Sequence, residues 1–81
     1  MSLPLPHEGD RCELNGGVAI ISFPDVWILE LPKDQYYGDS RFYHLQTYTI
    51  AAGDLVWMYF KRDETAEKLL KDLGFKPDHC K

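Results

Sequence analysis

The sequence predicts an α+β domain: a five-stranded antiparallel sheet followed by one C-terminal helix. Three observations carry this reading. Runs rich in β-branched and aromatic residues recur between turn signals up to Lys61. The links between the first three runs are too short for crossovers, so those strands run antiparallel. Beyond Arg62 the apolar spacing changes from that of a strand to that of a helix. A chain of 81 residues makes one domain. The domain is expected over residues 10–76, after an extended proline-bearing arm (1–9) and before a short tail (77–81).

Arg11 to Leu14 is the first strand, and Asn15-Gly16-Gly17 follows it. Asn-Gly favours a two-residue type I′ hairpin, because both central residues there need positive φ. Val18 to Ser22 is β-branched and forms the second strand. Pro24-Asp25 suits the centre of a type I turn. Val26 to Leu31 is then the third strand of a meander. Pro32 to Ser40 is the longest polar loop, and Arg41 to Ile50 carries Phe, Tyr and Thr at strand density. Ala51 to Asp54 turns the chain into Leu55 to Phe60, a fifth strand apolar on both faces. Gly9-Asp10-Arg11-Cys12 and Gly53-Asp54-Leu55-Val56 share a Gly-Asp-strand pattern. This resembles the strand starts of small SH3-like barrels, which implies a partly open barrel as one form the sheet can take.

The helix begins with Asp63, whose carboxylate can cap the first-turn amides, and Glu64 and Glu67 lie near the positive end of its dipole. Ala66, Leu69, Leu70 and Leu73 form one apolar stripe. Glu64–Lys68 and Glu67–Lys71 are i,i+4 pairs in the favourable order. Gly74 can end the helix in the left-handed conformation with Phe75 folding back, and Pro77 blocks continuation.

Alternation sorts the strand side chains onto two faces. One arrangement places Ile21, Phe23, Trp27, Leu29, Val56, Met58 and Phe60 under the helix. It leaves Val18, Ile20, Val26, Ile28, Trp57 and Tyr59 on the opposite face. A single helix cannot cover both. The sheet therefore curls on itself or meets another chain, and a homodimer is the simplest cover.

Charge and motif narrow the function. The net charge is −4. Residues 1–60 hold eight acids against three bases, and residues 61–81 hold five against six. Phosphate-rich partners and anionic membranes are disfavoured by that acidic body. Leu55 to Phe60 is the longest apolar run, too short to cross a bilayer, and the N-terminus lacks a basic and apolar leader. A cytoplasmic setting follows, with Cys12 and Cys80 expected as free thiols. The glycines form no dinucleotide fingerprint or P-loop, and His7, Cys12, His79 and Cys80 lack zinc-ligand spacing. No metal or cofactor is expected. His44, with Asp39 or Glu30 as orienter and Ser40 as nucleophile, is the set from which a hydrolase could be built. No oxyanion-hole element accompanies it, so the chain reads as a non-enzyme.

Aromatic residues make up 14% of the chain, with Tyr36, Tyr37 and Tyr43 clustered with Arg41 in or beside the long loop. Tyr and Trp suit interfaces, burying large area at small entropic cost. The binding candidates are Tyr36, Tyr37, Arg41 and Tyr43, with Ile28, Trp57 and Tyr59 on the second face. The leading expectation is a cytoplasmic protein-interaction module, self-associating through an aromatic sheet face. Single-stranded nucleic-acid binding by aromatic stacking is the alternative, and a hydrolase centred on His44 the third.

Overall fold

In the computed structural model, described over residues 4–35 and 44–75, five strands form one open antiparallel sheet. They are β1 (Asp10–Glu13), β2 (Ala19–Ser22), β3 (Val26–Pro32), β4 (Gln46–Ala52) and β5 (Leu55–Lys61), ordered β1-β2-β3-β5-β4. A helix, α1 (Glu64–Asp72), follows. The sheet is α+β as expected, and its first three strands are a meander. The strand order then departs from sequence order, because β5 is inserted between β3 and β4. The physical reason is composition. Leu-Val-Trp-Met-Tyr-Phe has no polar face to give to solvent, whereas the threonines of β4 tolerate an edge.

Turn length sets which face each residue takes. Pro24-Asp25 is a two-residue link, closed by the Phe23 N–H donating to the Val26 carbonyl at 2.8 Å. It pairs Ser22 with Trp27 and Ile20 with Leu29. Ile20 and Val18 therefore lie under the helix, while Ile21 and Phe23 lie on the second face with Ile28. This corrects the arrangement drawn from alternation alone, which had β2 inverted. The first hairpin also differs. The Leu14 N–H donates to the Val18 carbonyl at 2.7 Å around a three-residue turn, with Gly16 and Gly17 at φ 77° and 79°.

The core on the helix side joins Ile20, Trp27, Leu29, Leu31, Val56, Met58 and Phe60 to Ala66, Leu69 and Leu70. The helix is fastened at both ends. Asp63 Oδ1 accepts the Ala66 N–H at 2.9 Å, and the Phe75 N–H donates to the Leu70 carbonyl at 2.8 Å past Gly74 at φ 89°. Arg62 lies over the Trp27 ring at 4.8 Å and donates to the Phe23 carbonyl at 2.8 Å, tying the helix entry to the β2–β3 turn.

The second face is not left open for a partner along its whole length. Ile28 and Tyr59 are 0% and 1% exposed. The N-terminal arm supplies part of the cover over Tyr59: the Tyr59 hydroxyl donates to the Pro4 carbonyl at 2.7 Å, and Pro6 is buried. Gly9 passes against the same face, so closely that a Cβ there would lie 2.6 Å from Ile21 Cγ2 and 2.7 Å from Phe23 Cε1. Cys12 is disulfide-bonded, which replaces the free thiol expected there. Its row, Cys12–Ile20–Leu29, projects to the helix side, and the sequence holds one other cysteine. That residue, Cys80, lies outside the described residues.

Two substitutions test this packing. Leu70→Ala, at a fully buried position, is expected to cost about 2–5 kcal/mol in urea unfolding. Gly9→Ala is expected to cost about 1–3 kcal/mol by forcing the arm off Ile21 and Phe23; a neutral result would mean the arm does not pack there. Reductant is expected to lower the melting temperature, because opening the crosslink frees the unfolded chain.

Candidate functional site

The second face has a buried part, Ile21, Ile28 and Tyr59, and an accessible end at the β4 edge. At the accessible end the hairpin β4–β5 turns through Gly53-Asp54, with Gly53 at φ 61°. This pairs Ala52 with Leu55 and Ile50 with Trp57. Tyr48, Ile50 and Trp57 therefore share a face. Tyr48 is 50% exposed, Ile50 and Trp57 are half-buried, and the Tyr48 ring meets Tyr59 edge-on at 6.0 Å. Thr47 is the extra residue of a bulge between Gln46 and Tyr48, and its hydroxyl donates to the Tyr59 carbonyl at 3.3 Å.

Beside Trp57 sits the most buried carboxylate among the described residues. Glu30 pairs across the sheet with Trp57, and its side chain is 8% exposed. Oε1 accepts the Trp57 indole N–H at 3.0 Å, and Oε2 accepts from Arg11 Nη2 at 2.7 Å. Arg11 also pairs with Glu13 at 2.7 Å and is 45% exposed. Burial pushes the Glu30 carboxyl up, but the hydrogen bonds from Arg11 and Trp57 outweigh it and hold the group below its ordinary range. This network anchors the Trp57 ring and satisfies the carboxylate. Burial, with Tyr48 nearby, raises the Tyr59 hydroxyl above its ordinary value, so it stays a neutral donor to Pro4.

The sequence-derived candidates distribute as follows. Trp57 lies at the accessible end. Ile28 and Tyr59 lie on the same face but are buried within the chain, so they present no surface for a partner. Tyr36, Tyr37, Arg41 and Tyr43 lie outside the described residues, as do Asp39 and Ser40. His44 is exposed and lines a shallow groove of about 440 Å³ with Leu45, Glu64, Thr65, Lys68, Leu69 and Asp72. Glu30 does not orient it, since both carboxylate oxygens are engaged by Arg11 and Trp57. The sulfur of Cys12 is in a disulfide and is no thiolate ligand. Tyr48, Ile50 and Arg11 were not among the expected site residues, and Glu30, expected as an orienter of His44, instead holds Trp57. The two-residue Gly53-Asp54 turn was the available signal for the first pair, since it fixes Ile50 opposite Trp57.

Glu30 gives the site a pH dependence of definite sign. Its folded pKa lies below the ordinary value of 4.5. The stability it contributes is therefore complete above that value and is lost as pH falls through the folded pKa. The exposed Arg11–Glu13 contact adds little. Glu30→Ala leaves the Trp57 N–H without its acceptor and is expected to cost about 1–3 kcal/mol at neutral pH. It is also expected to flatten the acid limb of stability measured by thermal unfolding against pH. An unchanged acid limb would show that Glu30 is not held as a paired carboxylate.

No family model matches the chain, and no curated protein and no solved structure is significantly similar to it.

Proposed function

We propose that the chain is a small protein-interaction module that associates with a second copy of itself, through the edge of β4 and the Tyr48–Ile50–Trp57 end of the second face. The supporting observation is the contrast between the two edge strands. β1 has four residues, Asp-Arg-Cys-Glu, and its charges blunt pairing with another strand. β4 has seven residues, Gln-Thr-Tyr-Thr-Ile-Ala-Ala, with no charge and no proline. Thr47, Tyr48, Thr49 and Ala51 are exposed. An edge of this kind is a template for strand addition. The adjoining aromatic and branched side chains supply the apolar area that a partner can bury.

The surroundings support protein over nucleic acid as partner. Among the described residues, Glu30 and Glu13, not a basic track, flank Trp57 through Arg11. Arg62 is engaged by Trp27 and the Phe23 carbonyl on the other side. The described residues contain no helix long and apolar enough to cross a membrane. The disulfide at Cys12 favours an oxidising compartment over the cytoplasmic setting expected from sequence.

Sedimentation equilibrium tests the reading. The wild type is expected to dimerise at tens of micromolar, and Tyr48→Glu is expected to shift it to monomer with its fold intact, because Tyr48 is exposed. A wild type that stays monomeric would contradict self-association. Steeply salt-sensitive binding of single-stranded RNA, read by fluorescence anisotropy, would favour nucleic acid instead.

A further inference from the structure

We infer that the association is an antiparallel pairing of β4 with β4 of a second copy about a twofold axis at Thr49, which makes one continuous sheet across both chains. The inference rests on the self-association reading above and specifies its geometry. A twofold axis brings each residue of β4 opposite the residue equally far on the other side of the centre. Centred on Thr49, the middle of the seven-residue strand, it sets Tyr48 opposite Ile50 of the second copy, and Ile50 opposite its Tyr48. Both members of each pair project to the second face, since Tyr48 and Ile50 are partnered by Tyr59 and Trp57 there. Aromatic with β-branched and Thr with Thr are favourable cross-strand combinations, and this centre supplies both.

Charge and irregularity agree with that centre. No charged residue occurs in β4, so no like charges meet across the axis. The bulge at Thr47 disturbs one end of the strand and leaves Tyr48 to Ala52 in regular register with β5. Pairing at Thr49 keeps the central Tyr48–Ile50 segment of both copies within that regular part. It also lines up the accessible apolar ends of the two second faces. The Tyr48, Ile50 and Trp57 side chains of one copy then continue into those of the other.

The test uses the full chain. A lysine at the axis opposes its own copy, and lysine is a natural protector of edges. Thr49→Lys, at an exposed position, is expected to raise the dimer dissociation constant by about tenfold or more in sedimentation equilibrium. Asp10→Lys on the β1 edge is expected to leave it within about threefold. Circular dichroism and the melting temperature check that both variants fold. In a mixed sample of isotope-labelled and unlabelled wild type, filtered NOEs are expected between the Tyr48 ring and the Ile50 methyls of different copies. A wild-type dimer that is insensitive to Thr49→Lys, or whose intermolecular NOEs fall elsewhere, overturns this geometry and leaves self-association standing. A wild type monomeric at about 1 mM overturns both.

Discussion

Strand β5 has no face that it can leave in water, and the rest of the molecule is arranged around that constraint. Val56, Met58 and Phe60 point one way and Trp57 and Tyr59 the other. A strand of this kind is stable only at the centre of a sheet with cover on both sides. Its interior place between β3 and β4 follows, and so does the need for two unlike coverings. The helix supplies one through Ala66, Leu69 and Leu70. On the other side the arm from Pro4 to Gly9 shields Tyr59, Ile21 and Phe23, and the Arg11–Glu30–Trp57 network finishes the adjoining region. The second covering uses polar atoms where the first is apolar. Each is satisfied: the Tyr59 hydroxyl by Pro4, the indole N–H by Glu30, and Glu30 by Arg11 as well.

Much of this was legible in the sequence, and the rest was hidden for identifiable reasons. The helix could be read end to end because its signals are local: Asp63 at the cap, the stripe from Ala66 to Leu70, and Gly74 past the end. The doubly apolar character of β5 was equally local. The face of β2 was misassigned because Ile20 and Ile21 are both apolar, so alternation cannot choose between them. The two-residue Pro24-Asp25 link does choose, through Ser22 opposite Trp27. The insertion of β5 before β4 is a long-range decision between strands competing for a central position. The role of the arm is the least legible part of the fold. Leu-Pro-Leu-Pro reads as an extended tail with nothing to pair, and its value lies in a carbonyl placed 55 residues from the hydroxyl that needs it.

The same constraint shapes the candidate site. The described part of the arm meets this face at Tyr59, Ile21 and Phe23, while Tyr48 stays exposed and Ile50 half-buried. What remains accessible is a small aromatic end contiguous with an uncharged strand edge. It is smaller and more polar than the flat patch expected from alternation, and it lies at the margin of the sheet rather than its centre. Trp57 stays with this end, held by Glu30, while the exposed aromatic position belongs to Tyr48 at the β4 edge rather than to Tyr59.

The central claim is that the N-terminal arm packs on the second face at Tyr59, Ile21 and Phe23 and closes that part of it. NOEs at concentrations where the protein is monomeric test it most directly. The account predicts contacts between the Tyr59 ring and the protons of Pro4 and between Gly9 and the Ile21 and Phe23 side chains, with backbone order parameters over the arm near those of the sheet, about 0.85. Absence of those contacts, with arm order parameters below about 0.6, would contradict it and show that Ile21 and Tyr59 are buried by something other than this segment.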